Sequence, residues 1–402
     1  MRTGTIVLRG VVSGVASMAT LLTLALPASG QTMSVSPRPA HEAFTTDEPG
    51  SLTGADRSIA RRIPTRSTCP AVRHHLKQYA SRGIRRVMCV TTGPAVKATG
   101  VPALCVSDLE EFTRLADCIE EGWHVEIIDD QTGQVLGTND GTSTFWNNLS
   151  YKSRVWTESV QVTITDVTGV GAKTLFTAPF ECNDTTPGDC QTTGSGSWRA
   201  QTKYIGAGVP YTDTGNLGYG SAATSVTTMS FTLGMNFENP ATTNPAPVPI
   251  GPTTNIRCDS SDYFTTPNGG CAYPAFTTNI LSVSTVDPTV SEAAQFMEDA
   301  QNAIPTHAGK LGYKALTRLT DKNQIAGNRR VACKGVTIGA GQSCDEYPFA
   351  STYQGAALVP KADYRSQALS AAQNSKVGSI LGSFLLKNRI MDSDPFYVSI
   401  TS

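Results

Sequence analysis

The sequence predicts a multidomain chain, an antiparallel β-sandwich-like central module followed by a small α+β domain. Three observations lead there. At 402 residues the chain is longer than one hydrophobic core usually serves, because single cores stop growing near ~250–300 residues. Period-two apolar runs fill its middle ("SVQVTIT", "MSFTLGMNF"), whereas apolar residues at helical spacing return towards its end. The charge changes sign with the pattern. Residues 1–119 carry 14 Lys+Arg against 8 Asp+Glu, residues 120–304 carry 6 against 19, and residues 305–402 carry 12 against 6.

The elements follow in order. Residues 1–30 open with Arg2 and Arg9, run apolar from Val11 to Leu26 and end in "LPASGQ", the basic–apolar–small order of a signal peptide. Gly14 and the Ser/Thr residues make this segment a poor bilayer span, and no later run is apolar enough to replace it, so no membrane span is expected. Cleavage near Gln31 and an extracellular, secreted product are the expectation. Residues 31–68 are rich in Pro, Ser, Thr and Arg without periodicity, as in a linker or propeptide. Residues 69–122 read as a small helical, disulfide-containing segment. In "SDLEEFTRLADCIEEG" a Ser107–Glu110 capping box precedes Leu109, Phe112, Leu115, Ala116 and Ile119 on one face, and Gly122 stops the helix.

Residues 123–287 form the β-rich module. Val160, Val162 and Ile164 alternate, as do Met229, Phe231, Leu233, Met235 and Phe237, which suits strands with one buried face. "NPATTNPAPVPIGP" reads as a proline-rich connection. Residues 288–402 return to helices in "SEAAQFMEDAQNAI" and "KVGSILGSFLLKN" and close on the alternating strand "DPFYVSI". All ten cysteines lie beyond residue 68 and none forms a C-x-x-C pair, which favours disulfides over zinc. Pairing neighbours, notably 182–190, 258–271 and 333–344, is the simplest scheme, although sequence alone does not fix connectivity.

Chemistry concentrates in the basic C-terminal block, whose charge suits a polyanion or simply a solvated surface. "SCDEYPFASTYQGA", from Ser343, sets two carboxylates beside a Tyr-Pro corner. Alone it reads as a turn or as a reaction centre. Together with "NSKVGSILGSFLLKNRIMDSDPFYVSI" it resembles the secreted deoxyribonucleases of the NucA/NucB type, over roughly residues 305–402. The resemblance implies a secreted metal-dependent endodeoxyribonuclease acting on DNA. Asp345 would be a ligand of Mg²⁺ or Mn²⁺ and Glu346 a general base or second ligand, since hard cations prefer oxygen and can activate water beside a phosphate. It further implies His307 as acid, base or ligand. In "NRR" either Arg329 or Arg330 would grip the phosphate, Arg330 being the one singled out, and Asn374 would cap a helix or orient a water or phosphate. The chain departs from the family pattern in two places. Tyr353-Gln354-Gly355-Ala356 replaces Glu-Glu-Gly-Gly, leaving Gln354 as an uncharged metal ligand, and Gln373-Asn374-Ser375 replaces Asp-Asn-Arg. A non-catalytic DNA- or cell-wall-binding protein with the nuclease fold, or a nuclease toxin with an immunity partner, are the alternatives. The opposed charges also suggest an intramolecular contact between the acidic β module and the basic domain.

Overall fold

The computed structural model describes residues 58–93, 95, 100–184, 190–193, 197–201, 211–221, 226–250 and 254–402; the expected signal peptide lies outside them. The described chain is mostly antiparallel sheet with five α-helices. Long strands Ala116–Asp129, Val135–Asn148 and Val155–Gly169 form the centre of an eight-stranded sheet. A six-stranded sheet is built around Thr227–Glu238, the "MSFTLGMNF" strand. Apolar side chains of both sheets merge in one core: the Trp123 ring lies 4.9 Å from that of Phe237 and 6.4 Å from that of Phe176.

The helix expected over Ser107–Gly122 does not form. Leu109–Phe112 and Ala116–Asp129 are antiparallel strands joined by a turn in which the Ala116 amide bonds Thr113 Oγ1. The Ser107 hydroxyl donates to Glu120 instead of starting a helix, and Cys118 is bridged to Cys105. Pairing on both edges of a fourteen-residue strand outweighs a helical apolar spacing that was only a local preference. Two short helices, Cys69–His74 and Leu76–Ser81, lie upstream. The proline-rich connection also contains a strand, Ala246–Ile250, paired along Leu233–Phe237. Its prolines, Pro247 and Pro249, occupy the outward positions of an outer strand, where a missing N–H costs least.

A second core gathers residues from Leu281 to Val398. Helices Ser291–Ala303 and Ala371–Lys387 and the strand Pro395–Thr401 form where the sequence placed them. The strand at the end of the β-rich region, Ile280–Ser284, pairs in parallel with Pro395–Thr401, so everything between forms one crossover. Gln342–Tyr347 and Arg365–Ser370 make a separate two-stranded sheet. Four disulfides, 69–89, 105–118, 258–271 and 333–344, are formed. Cys190 is also bridged; the side chain of Cys182 lies outside the described residues.

The described residues from Ser58 to Ser402 belong to one compact unit, in which the two cores meet at buried and half-buried ion pairs. Arg389 pairs with Asp259 at 2.7 Å, and both Arg114 and Arg257 pair with Asp394, at 2.7 and 2.5 Å. Among the described residues no helix is long and apolar enough to cross a membrane.

Candidate active site

The acidic motif lies on the strand Gln342–Tyr347, and successive side chains of a strand leave opposite faces. Ser343, Asp345 and Tyr347 share one face with Leu369, which is buried in the second core. Cys344 and Glu346 share the other, towards the helix Lys322–Ala332, whose C-cap Cys333 is bridged to Cys344. The two carboxylates therefore serve different surroundings.

Asp345 is 9% exposed, and burial raises its pKa to about 6. Its Oδ1 accepts the backbone amide of Glu346 at 2.9 Å, and no Lys or Arg pairs with it among the described residues. Asn374, in the first turn of Ala371–Lys387, reaches this strand and donates Nδ2 to Ser343 Oγ and to the Cys344 carbonyl, at 3.1 and 3.0 Å. Asn374 is thus not the helix cap. Ser370 fills that position, its hydroxyl accepting from the Gln373 amide. The carboxamide oxygen of Asn374 has no hydrogen bond among the described residues.

On the opposite face Glu346 is pushed up to about 7, by burial first and by the charge of Asp345 second. The Arg329 charge and the Ala350 amide pull it the other way. Arg329 and Arg330 are both exposed on the last turn of their helix. It is Arg329, one position before the arginine singled out in the sequence, that acts on Glu346. Cys333 and Cys344 lie near Glu346 but have no thiolate to offer a metal, because they are bonded to each other.

His307 lies in the turn after Ser291–Ala303 with a left-handed φ of 46°, its Nδ1 2.7 Å from the Gln301 carbonyl. That contact requires the proton on Nδ1 and leaves Nε2 as an acceptor in the neutral ring. Gln301 also donates its amide to Tyr347 Oη at 2.9 Å, and the Tyr347 hydroxyl donates to the Ala308 carbonyl at 2.9 Å. Burial pushes the Tyr347 phenol up, so it stays a neutral donor. The motif strand is thereby registered against the histidine turn. A Cβ at Gly309 would stand 2.1 Å from the Tyr347 hydroxyl, so glycine is needed there.

Gln354 is turned towards Thr317. Its Oε1 accepts the Thr317 amide at 2.8 Å and its Nε2 donates to Thr317 Oγ1 at 3.1 Å, so the expected ligand oxygen is committed to backbone. The loop after the motif is held by Asn328, which is fully buried. It donates to the Ala350 and Thr352 carbonyls and accepts from the Ala357 amide. Gly355 packs so closely on Asn328 that a side chain would collide with its amide. Sequence reading took Asn328 only as part of a basic patch and passed over Gln301. The available signal for Gln301 was a polar residue in line with Ala294, Met297 and Ile304 on an apolar helix stripe.

One face thus unites Asp345 and Asn374 and, through Tyr347, is tied to the His307 turn, while the other unites Glu346 and Arg329. Residues 301–399 match the deoxyribonuclease NucA/NucB family. The NucA/NucB match ends within the last strand, and the stretch preceding it, from Ile280 to Ala300, supplies part of the same core. No curated protein matches the chain.

Proposed function

We propose that the chain is a secreted endodeoxyribonuclease that hydrolyses phosphodiester bonds with the help of a divalent cation. The observation that carries this reading is Asp345: a buried carboxylate without a cationic partner, on the signature strand of a region that matches a deoxyribonuclease family. The disulfides favour an oxidising compartment.

The donors fit a hard cation. Asp345 keeps one carboxylate oxygen outside its backbone bond, and Asn374, tied to the same strand, has a free carboxamide oxygen. Glu346, on the other face, feels the Arg329 charge and is not assigned a share of the ion. Gln354 is left out of the ligand set. When bound, Mg²⁺ or Mn²⁺ would neutralise charge building on the phosphate and make a bound water more acidic. The Asp345 carboxylate is placed to accept a proton from the attacking water. His307, on the turn that Tyr347 ties to this strand, leaves Nε2 for a second proton-transfer role. Arg329 and Arg330 present guanidinium forks to phosphate oxygens.

The basic balance of residues 305–402 suits DNA, with its regular row of negative charges. The test is conversion of supercoiled plasmid to nicked circles by the full chain. Cleavage should require Mg²⁺ or Mn²⁺ and stop on adding EDTA. A chain that shifts the same plasmid on a gel but never nicks it is a binding protein, and the hydrolytic reading then fails.

A further inference from the structure

The junction between the β-rich region and the NucA/NucB region is built like a protein interior. Arg389 is wholly buried, in a left-handed backbone conformation, and uses all five of its N–H donors across the junction. It bonds both carboxylate oxygens of Asp259 at 2.7 and 2.8 Å and the Asp259 carbonyl at 2.9 Å. The Tyr151 carbonyl and Thr266 Oγ1, at 3.0 and 2.8 Å, take the remaining two. The Phe264 ring lies 4.4 Å from its guanidinium carbon. Running the other way, Asp394 accepts from Arg114 and Arg257, and Arg114 also bonds the carbonyls of Asn388 and Arg389. Few groups on either side could be re-exposed without leaving charges unpaired.

The segment gripped this way, Asn388–Asp394, reaches the loop after the motif. Asp392 accepts from the Tyr353 hydroxyl at 2.9 Å and from the Thr320 amide at 2.9 Å. The Arg318 amide bonds the Asp394 carbonyl, and Thr317 next to it is clamped by Gln354. Upstream of the family match, the strand Ile280–Ser284 supplies an edge of the sheet on which the last strand lies.

We propose that the β-rich region is a permanently docked part of this nuclease fold, which completes its sheet and shapes the Asn388–Asp394 loop, and is not a detachable inhibitor. The ion pairs are mixed in direction, with Arg114 and Arg257 contributed by the β side and Arg389 by the other. That is the arrangement of a specific interface, unlike an acidic surface laid over a basic one. The inference rests on stability and association, so it stands or falls apart from the hydrolytic reading.

The test uses the full chain with a site-specific protease sequence inserted after Val286, which is 73% exposed between Ile280–Ser284 and Ser291–Ala303. Each of the four described disulfides lies within one half. After cleavage the halves should co-elute on gel filtration at about 0.15 M and about 1 M NaCl, because buried pairs are little screened. They should also melt in a single transition. The same cleaved chain carrying Asp259→Asn should dissociate at least about tenfold more readily, as removing one partner strands Arg389. Halves that part without denaturant, leaving a folded C-terminal piece, would overturn the proposal. So would an Asp259→Asn chain that holds together as tightly as the unaltered one.

Discussion

Replacing Glu346 by Gln tests the division of the two carboxylates between opposite faces. Burial, with the Asp345 charge, lifts Glu346 from an ordinary 4.5 to about 7, against the pull of Arg329 and the Ala350 amide. A carboxyl whose folded pKa is raised favours the folded state below pH 4.5, and that contribution is lost as the pH climbs through 7. The rise corresponds to about 3 kcal/mol at 1.36 kcal/mol per pH unit. Glutamine keeps the shape and never ionises. At about pH 8.5 the Glu346→Gln chain should therefore be more stable by about 2–3 kcal/mol, and near pH 4 it should match the unaltered protein. Urea unfolding followed by circular dichroism at both pH values gives the two differences. On DNA the same change should leave kcat nearly unchanged. Equal stability differences at the two pH values would refute the burial argument, and a collapse of kcat would place Glu346 in the chemistry itself.

Other consequences follow from the same physics. Glu121 and Glu158 are likewise lifted to about 7 by burial, so stability of the unaltered chain should fall between about pH 4 and 8; a flat urea midpoint across that range would contradict it. Glu158→Gln should remove part of the slope while retaining the acceptor for Asn147. Asn328→Ala strands two carbonyls and an amide in the loop after the motif and should cost about 3 kcal/mol in urea unfolding, with a loss below about 1 kcal/mol counting against the latch. Arg330→Ala should weaken DNA binding and reduce the slope of log affinity against log salt by about one, because fewer counterions are released; an unchanged slope removes Arg330 from the interface.

The sequence revealed those elements whose pattern and packing agree. The alternation in Met229–Phe237 and the helical spacing in Ser291–Ala303 and Val377–Leu385 each became the expected element, since each stripe meets a core. Leu109–Ile119 misled because its apolar residues fit a helix locally, while a partner strand distant in sequence and the Cys105–Cys118 bridge decided the outcome. The motif exposed Asp345 and Glu346, and strand geometry foretold that they would part. What the sequence could not show was who meets whom across distance. Gln354 bonds the Thr317 amide and Asn374 reaches the Cys344 carbonyl, contacts that no local pattern foretells. Arg389 and Asp394 carried no local signal, because their partners Asp259, Arg114 and Arg257 lie more than a hundred residues away in the chain.

Whether Asp345 stands in the motif for phosphodiester chemistry is decided by the rate of plasmid nicking by Asp345→Asn against the unaltered chain, in Mg²⁺, from about pH 5 to 8, with folding matched by circular dichroism. Asparagine preserves the shape and can still accept the Glu346 amide, but it can neither take a proton from water nor offer charge to a cation. A bound cation holds Asp345 in its charged form, so the variant should be slower by about 100-fold or more at each pH tested. An Asp345→Asn chain that nicks DNA at the unaltered rate, with the same pH profile, would show the acidic pair to be a turn and nothing more.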